Sequence, residues 1–249
     1  MTRLRRAIAT VVLLAATAPN AACGAGGDDD AVTARARMVE TIRAYAAMPG
    51  SGAPGGRISD RVLAAMAAVP RHELVPEPHR DLAYADTALP IGFGQTISQP
   101  YIVALMTELV RPGPKGVMLE VGTGSGYQAA VLARLVGHVY TIEIVDALAR
   151  RAGADLARLG FANVTVKSGD GYKGWPARAP FHGIVVTAAP KEVPPPLIEQ
   201  LRPGGRLVMP LEDASGHQSL VVLEKDAAGG VVRRTIIPVR FVPLTRKAP

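Results

Sequence analysis

Leu119-Glu120-Val121-Gly122-Thr123-Gly124-Ser125-Gly126-Tyr127 changes character halfway along: an apolar, strand-like run gives way to alternating glycines and then to a helix-like pattern. Glycines at such a turn permit backbone conformations closed to other residues and let a ligand approach the main chain. The spacing is G-x-G-x-G. Tyr127 stands where a dinucleotide-binding loop needs its third glycine, and no Lys-Ser/Thr pair follows as it would in a phosphate-binding loop. Glu120 argues the same way, because a pyrophosphate beside it would put two anions into one small site. A nicotinamide-dependent dehydrogenase is therefore disfavoured.

Outward from this turn, short strand and helix patterns alternate. Residues 116–121, 138–144, 164–167, 181–187 and 205–211 read as strands, and 127–136, 146–159 and 196–201 as helices, with Asp146 as the expected cap of its helix. This alternation predicts an α/β fold, a Rossmann-like, doubly wound and mostly parallel sheet with helices on both faces. Residues 219–224, 231–237 and 239–242 are further strand candidates, expected to be antiparallel, with a hairpin connection at 226–230. Upstream, helices are predicted over 31–47, 62–69 (capped by Ser59 or Asp60) and 102–109, separated by a turn-rich stretch holding Pro76, Pro78, Pro90, Gly92 and Gly94. The expected organisation is one domain over 31–249, with a helical, substrate-side segment at 31–112 and the sheet core at 113–249.

Two further acids accompany Glu120. Glu143 ends the second core strand, where a carboxylate can accept hydrogen bonds from ribose hydroxyls. Asp170, in Ser168-Gly169-Asp170-Gly171, ends the third, where it could accept from an adenine amino group. Any one of these acids alone could be a helix cap or a solvated loop charge. Three acids ending three successive strands beside a glycine turn point to a nucleoside at the carboxyl edge of the sheet. A cationic nucleoside suits Glu120, and S-adenosylmethionine, with its sulfonium and amino group, meets that requirement.

Ala88-Leu89-Pro90-Ile91-Gly92-Phe93-Gly94-Gln95-Thr96-Ile97-Ser98-Gln99-Pro100-Tyr101 closely resembles the substrate-side signature of the protein-L-isoaspartate (D-aspartate) O-methyltransferases. Glu120 to Gln128, Gly169-Asp170-Gly171, Ala179-Pro180-Phe181, Thr187-Ala188-Ala189-Pro190 and Val239-Arg240-Phe241-Val242-Pro243-Leu244 resemble that family too, so the likeness runs from about Ile58 to Leu244. It implies methyl transfer from S-adenosylmethionine to the α-carboxylate of L-isoaspartyl and D-aspartyl residues in damaged proteins. The ester then closes to a succinimide that partly reopens as aspartate. Ser98 corresponds to the family's active-site serine. Glu120, Gly122, Thr123, Gly124, Ser125, Gly126, Glu143, Gly169 and Asp170 fall on the cofactor side, and Thr96, Ile97, Gln99 and Pro100 on the peptide side. Phe93 stands where a polar residue is expected in bacterial members. An α-carboxylate with a pKa of about 3.5 is already the nucleophile at neutral pH, so no general base is needed. Ser98 could also cap the helix opened by Gln99-Pro100 and is expected to do both jobs. The rival readings are a related methyltransferase with another acceptor and an exported, non-catalytic binding module.

Residues 1–30 read as an address. Arg3, Arg5 and Arg6 precede an apolar run over 7–18, the pattern of a secretory signal and too short for a membrane span of about 20 residues. Ala21-Ala22-Cys23-Gly24 resembles a lipoprotein processing site, although Asn20 fits it poorly. Export to the periplasm or anchoring through Cys23 is expected, with a downstream start near Met38 and a cytoplasmic location as the alternative. Gly24–Asp30 reads as a structureless polar linker. The net charge of +7 is scattered, with no basic block and few aromatics, which argues against nucleic acid as a partner. A single cysteine excludes a disulfide framework and a cysteine-rich zinc site, and the five histidines show no ligand spacing, so no metal is expected. The expected partners are isoaspartyl-containing proteins, with membrane contact only through Cys23, and the expected state is a monomer.

Overall fold

A computed structural model describes residues 26–246. The expected export signal, its candidate cleavage sites and Cys23 lie outside the described residues. Helix α1 (Gly26–Ala46) buries Met38, Ile42 and Ala46, one stripe at four-residue spacing. It starts earlier than the sequence suggested, so residues 26–30 are helix and not linker. Asp29 and Asp30 place carboxylates near its positive N-terminal end. Helix α2 (Asp60–Ala68) follows, but neither Ser59 nor Asp60 caps it through a side chain. The Ser59 hydroxyl and N–H both donate to Glu108 Oε2 instead, at 2.6 and 2.9 Å.

The turn-rich stretch contains a hairpin that the sequence reading did not foresee: β1 (Leu89–Gly92) antiparallel to β2 (Gln95–Ile97). Its two turn residues, Phe93 and Gly94, both have left-handed backbones, with φ of 56° and 68°, as tight hairpins of this kind require. Helix α3 (Pro100–Val110) begins directly beyond it.

The core comprises β3 (Val117–Val121), α4 (Tyr127–Ala133), β4 (His138–Glu143), α5 (Asp146–Arg158), β5 (Val164–Ser168), β6 (Phe181–Val186), α6 (Pro195–Glu199), β7 (Leu201–Glu212), β8 (Gln218–Lys225) and β9 (Val231–Val239). The strand order is β5-β4-β3-β6-β7-β8-β9, parallel through β7 and antiparallel beyond it. This is the doubly wound sheet expected, with apolar clusters such as Met118, Val139 and Val208 on one side and Leu119, Ile184 and Leu207 on the other. Two details differ. Val145, not Asp146, occupies the cap position of α5, and Asp146 pairs with Arg150 one turn on. Residues 239–242 form no separate strand: β9 ends at Val239, and the chain beyond it meets the sheet through a bridge between Pro243 and Ala189. That segment is held by Ala189, whose N–H donates to Val242 O and whose carbonyl accepts from Leu244 N–H, by Gln218, which exchanges two hydrogen bonds with the Phe241 backbone, and by the Tyr172 hydroxyl, which donates to Leu244 O.

The chain runs from β3 outward to β4 and β5, then returns to the other side of β3 with β6. At this switch the connections leave in opposite directions and open a crevice at the carboxyl ends of β3 and β6.

Candidate active site

The glycine turn lies in that crevice. Gly122, Gly124 and Gly126 all have positive φ, at 97°, 52° and 85°, so the spacing read in the sequence is a backbone requirement. A side chain at Gly122 would place its Cβ 2.3 Å from Thr187 Oγ1. That hydroxyl donates to the Gly122 carbonyl at 2.6 Å and clamps the turn to the end of β6.

Glu120 is wholly buried next to the carboxyl end of β3. Thr141 on β4 donates to its Oε2, and Thr141 and Thr123 share a 2.6 Å hydrogen bond between hydroxyls. Oε1 has no partner. Burial raises its pKa from 4.5 to about 8; the Thr141 hydrogen bond opposes the rise and the nearby Glu143 charge adds to it. Glu120 faces a narrow cavity lined also by Thr96, Ile97, Ser98, Thr123, Gly124 and Ser125. Gln128, whose Nε2 donates to Thr107 at 2.9 Å, leaves its buried Oε1 unpartnered in the same place. These orphaned acceptors, with backbone free of side chains at three glycines, suit a ligand that carries donors and positive charge.

Glu143 ends β4 with Oε2 accepting from Gly124 N–H at 2.8 Å and Oε1 from Val145 N–H at 2.9 Å. A carboxylate has about four acceptor sites, so capacity for hydroxyls remains. Its carbonyl takes the Gly169 N–H at 2.8 Å. Asp170 accepts from Tyr172 N–H at 2.9 Å and lies 3.6 Å from Arg246, which stacks on the Tyr172 ring.

A second cavity of about 250 Å³ adjoins the first. Asp86, Gln99, Ile102, Arg240 and Phe241 form its walls, and Thr96, Ser98 and Thr187 line both cavities. Ser98 thus sits at the opening between them. It does not cap α3, contrary to expectation: Gln99 holds the cap position, and the α3 terminus is served from outside by Asp86. Asp86 Oδ1 accepts from Tyr101 N–H at 2.8 Å and Oδ2 from Gln99 Nε2 at 2.7 Å. Among the described residues, the Ser98 hydroxyl makes no hydrogen bond. Pro100, buried at the start of α3, lines neither cavity, and Gly126 is the cap residue of α4. A larger hollow of about 720 Å³, between Arg43, Arg57, Glu108 and Arg111, lies at the other end of α3 and holds none of these groups.

Arg71 supports both sides. Its guanidinium is fully buried, donates from Nε to Ala83 O at 2.7 Å, and stacks 4.6 Å from the Tyr127 ring centroid. It thereby ties the loop bearing Asp86 to the first residue of α4. Burial lowers its pKa to about 10, which leaves it charged at neutral pH. Asp86, Thr141, Thr187 and Arg71 were missed in the sequence. Thr187 lay within a recognised stretch without a role, and the others carry no local motif.

The family model "Protein-L-isoaspartate(D-aspartate) O-methyltransferase" matches residues 53–249. The chain is 52% identical over 235 residues to the protein-L-isoaspartate O-methyltransferase 2 of Syntrophobacter fumaroxidans, covering 94% of this chain and 95% of the relative. It is 56% identical over 196 residues to the protein-L-isoaspartate O-methyltransferase of Gloeobacter violaceus, covering 79% and 95%. A solved protein-L-isoaspartate O-methyltransferase superposes with a TM-score of 0.76 at 29% identity, over 86% of this chain and 67% of that one.

Proposed function

Because the chain belongs to the protein-L-isoaspartate(D-aspartate) O-methyltransferase family, we propose that Ser98 holds the substrate carboxylate at the opening where its two cavities meet. The enzyme is an S-adenosylmethionine-dependent carboxyl methyltransferase that repairs damaged proteins by esterifying the α-carboxylate of L-isoaspartyl residues. When bound, S-adenosylmethionine supplies a methyl group on a positively charged sulfur.

The glycine turn, Thr123, Ser125 and Glu120 form the cofactor side in this reading, with Glu143 receiving ribose hydroxyls, Gly169 giving the base room and Asp170 accepting from the adenine amino group. Thr96 and Gln99 line the peptide side, whereas Ile97 lines the cofactor-side cavity and Pro100, lining neither, opens α3. The observation that carries the proposal is that Ser98 lines both cavities with a free hydroxyl. Thr187 shares the position, but its hydroxyl is committed to Gly122 O and Val121 O. A hydroxyl donor orients a carboxylate while leaving it nucleophilic, whereas an adjacent cation would hold its electrons more tightly. The nucleophile is already ionised, so orientation supplies the rate, and apolar walls at Ile97, Ile102 and Phe241 help exclude water.

Ser98→Ala is expected to lower kcat/KM for an L-isoaspartyl peptide by roughly 10–100-fold, the worth of one hydrogen bond to a charged group, with cofactor affinity unchanged. Labelled methyl transfer, with the normal aspartyl peptide as control, measures this. Undiminished transfer would remove Ser98 from the role. We also propose that the enzyme is a monomer and that residues 1–30 direct it out of the cytoplasm, on the strength of the arginine-led apolar run and the small residues before Cys23.

A further inference from the structure

Arg111 closes α3 against two ordinary preferences. Its backbone is left-handed, with φ of 52°, at the end of a helix where glycine is favoured. Its charge also falls among like charges: burial lowers the Arg206 pKa, the bond to Glu224 opposes the fall, and Arg111 and Arg234 deepen it. Arg111 borders the hollow of about 720 Å³ together with Arg43 and Arg57. The acids there are engaged elsewhere. Glu108 Oε2 accepts from the Ser59 hydroxyl and N–H, and Asp60 pairs with Arg43 at 3.4 Å. Among the described residues, Arg57, Arg111 and Arg234 have no carboxylate partner. Three exposed guanidiniums thus stand unbalanced in or beside one hollow. A backbone outlier kept where glycine would relieve it points to use.

Two elements tie this hollow to the site of methyl transfer. Helix α3 leads from Arg111 back to Pro100, two residues beyond Ser98, a length of about 17 Å at the helical rise. Strand β9 leads from Arg234 to Pro238 and Val239 in the wall of the peptide-side cavity, about 17 Å at the strand rise. It is the last strand of the sheet, and its residues 231–235 are exposed. An extended polypeptide covers that span in about five residues. The lining of the hollow has no aromatic side chain on which a nucleic-acid base could stack. We propose that the hollow at Arg43, Arg57 and Arg111 docks an acidic segment of the damaged protein, so that carboxylates about five or more residues from the isoaspartyl site add to substrate affinity. This rests on the reading that the isoaspartyl residue is held beside Ser98. Guanidinium groups donate paired N–H···O bonds to carboxylates, so the hollow contributes to holding the substrate and not to the chemistry.

The test uses fluorescent L-isoaspartyl peptides that carry a tract of glutamates, or of glutamines, about six residues from the isoaspartyl site on either side. Binding to the full chain is read by anisotropy at about 50 mM salt, and methyl transfer by kcat and KM. On at least one side the glutamate peptide should bind about five- to tenfold tighter than its glutamine twin, through KM and not kcat, and added salt should shrink the gap. Arg111→Gly suits a left-handed backbone and should therefore fold. Combined with Arg57→Gln, it should remove most of the gap while a peptide without a tract is methylated as by the wild type. Equal affinity for the twin peptides, or a glutamate preference that survives the double variant, overturns the inference. So does tighter binding of a single-stranded oligonucleotide of equal charge, which would make the hollow a nucleic-acid site. Ser98→Ala separates the two readings. Lost methylation with the glutamate preference intact in anisotropy supports both, whereas undiminished methylation removes the Ser98 role and leaves anisotropy to decide the docking.

Discussion

A glutamate inside a buried strand is the residue on which the chemistry of the site and the stability of the fold pull apart. The Glu120 pKa is raised in the fold from 4.5 to about 8, so between those values the folded chain holds a proton that the unfolded chain has lost. The stability this gives is complete below about pH 4.5 and is lost as pH rises through about 8. Without cofactor, the wild-type Tm is expected to fall from pH 6 to 8 more steeply than that of Glu120→Gln. Parallel slopes in thermal melts would show that Glu120 ionises freely. Phe93 illustrates a different residue-level conflict. It is 54% exposed, and its φ of 56° is one that bulky side chains adopt at a cost of roughly 1–2 kcal/mol. Phe93→Asn should therefore stabilise the enzyme by roughly 1 kcal/mol in denaturant unfolding, since asparagine favours this turn position. A loss of stability would mean that the aromatic ring makes contacts worth more than the strain. The three glycines and Glu120 itself could be read in sequence because each acts through its own backbone or its own position in a strand. Arg71, Asp86 and Thr141 could not, because their partners lie 12 to 21 residues away.

Elements show the same division. Each core strand was recoverable because β-branched and apolar runs alternate with helical patterns, and chain ends of strands in a parallel sheet fall on one edge. The β1–β2 hairpin was not, because its strands have four and three residues, include Pro90, and are flanked by glycines that read equally well as loop. Ser59 takes the cap position of α2 as expected, but α3 and α5 differ from expectation for a physical reason. A terminus needs an acceptor near its free N–H groups, and in a packed molecule that acceptor can come from elsewhere in the chain. At α3 it comes from Asp86, which also holds Gln99. Asp86→Ala is expected to destabilise the enzyme by about 1–2 kcal/mol, the worth of a lost helix cap with its charge. It should also raise KM for the isoaspartyl peptide severalfold while leaving cofactor affinity near wild type. Stability lost with peptide KM unchanged would confine Asp86 to holding the helix.

At the scale of the molecule, the sheet's reversal beside β3 brings the glycine turn, Glu143 and Thr187 to one crevice, and the helical segment lays Ser98 across it. Arg71 joins those halves by bonding the Asp86 loop and stacking on Tyr127. The address read in residues 1–30 overlaps α1 at residues 26–30, and the remainder lies outside the described residues. Expressed in a bacterial host, the full chain should fractionate with the cell envelope, and a chain of residues 31–249 with the cytoplasm, both methylating isoaspartyl peptide. Cys23→Ala should free the exported protein from membranes. Full-length protein found only in the cytoplasm would dispose of the export proposal.

The amino-acid sequence by itself determined the α/β order, the glycine turn, the acids at the strand ends and the stretch from Ala88 to Tyr101, because periodicity, backbone permissiveness and local motifs are written in neighbouring residues. Tertiary structure alone decided that Ser98 faces two cavities, that Asp86 rather than Ser98 serves α3, and that, among the described residues, Ser98 keeps its hydroxyl free and Glu120 meets no cation. Those outcomes depend on which distant groups are packed together and which are kept from water, and burial and electrostatic surroundings exist only once the chain has folded.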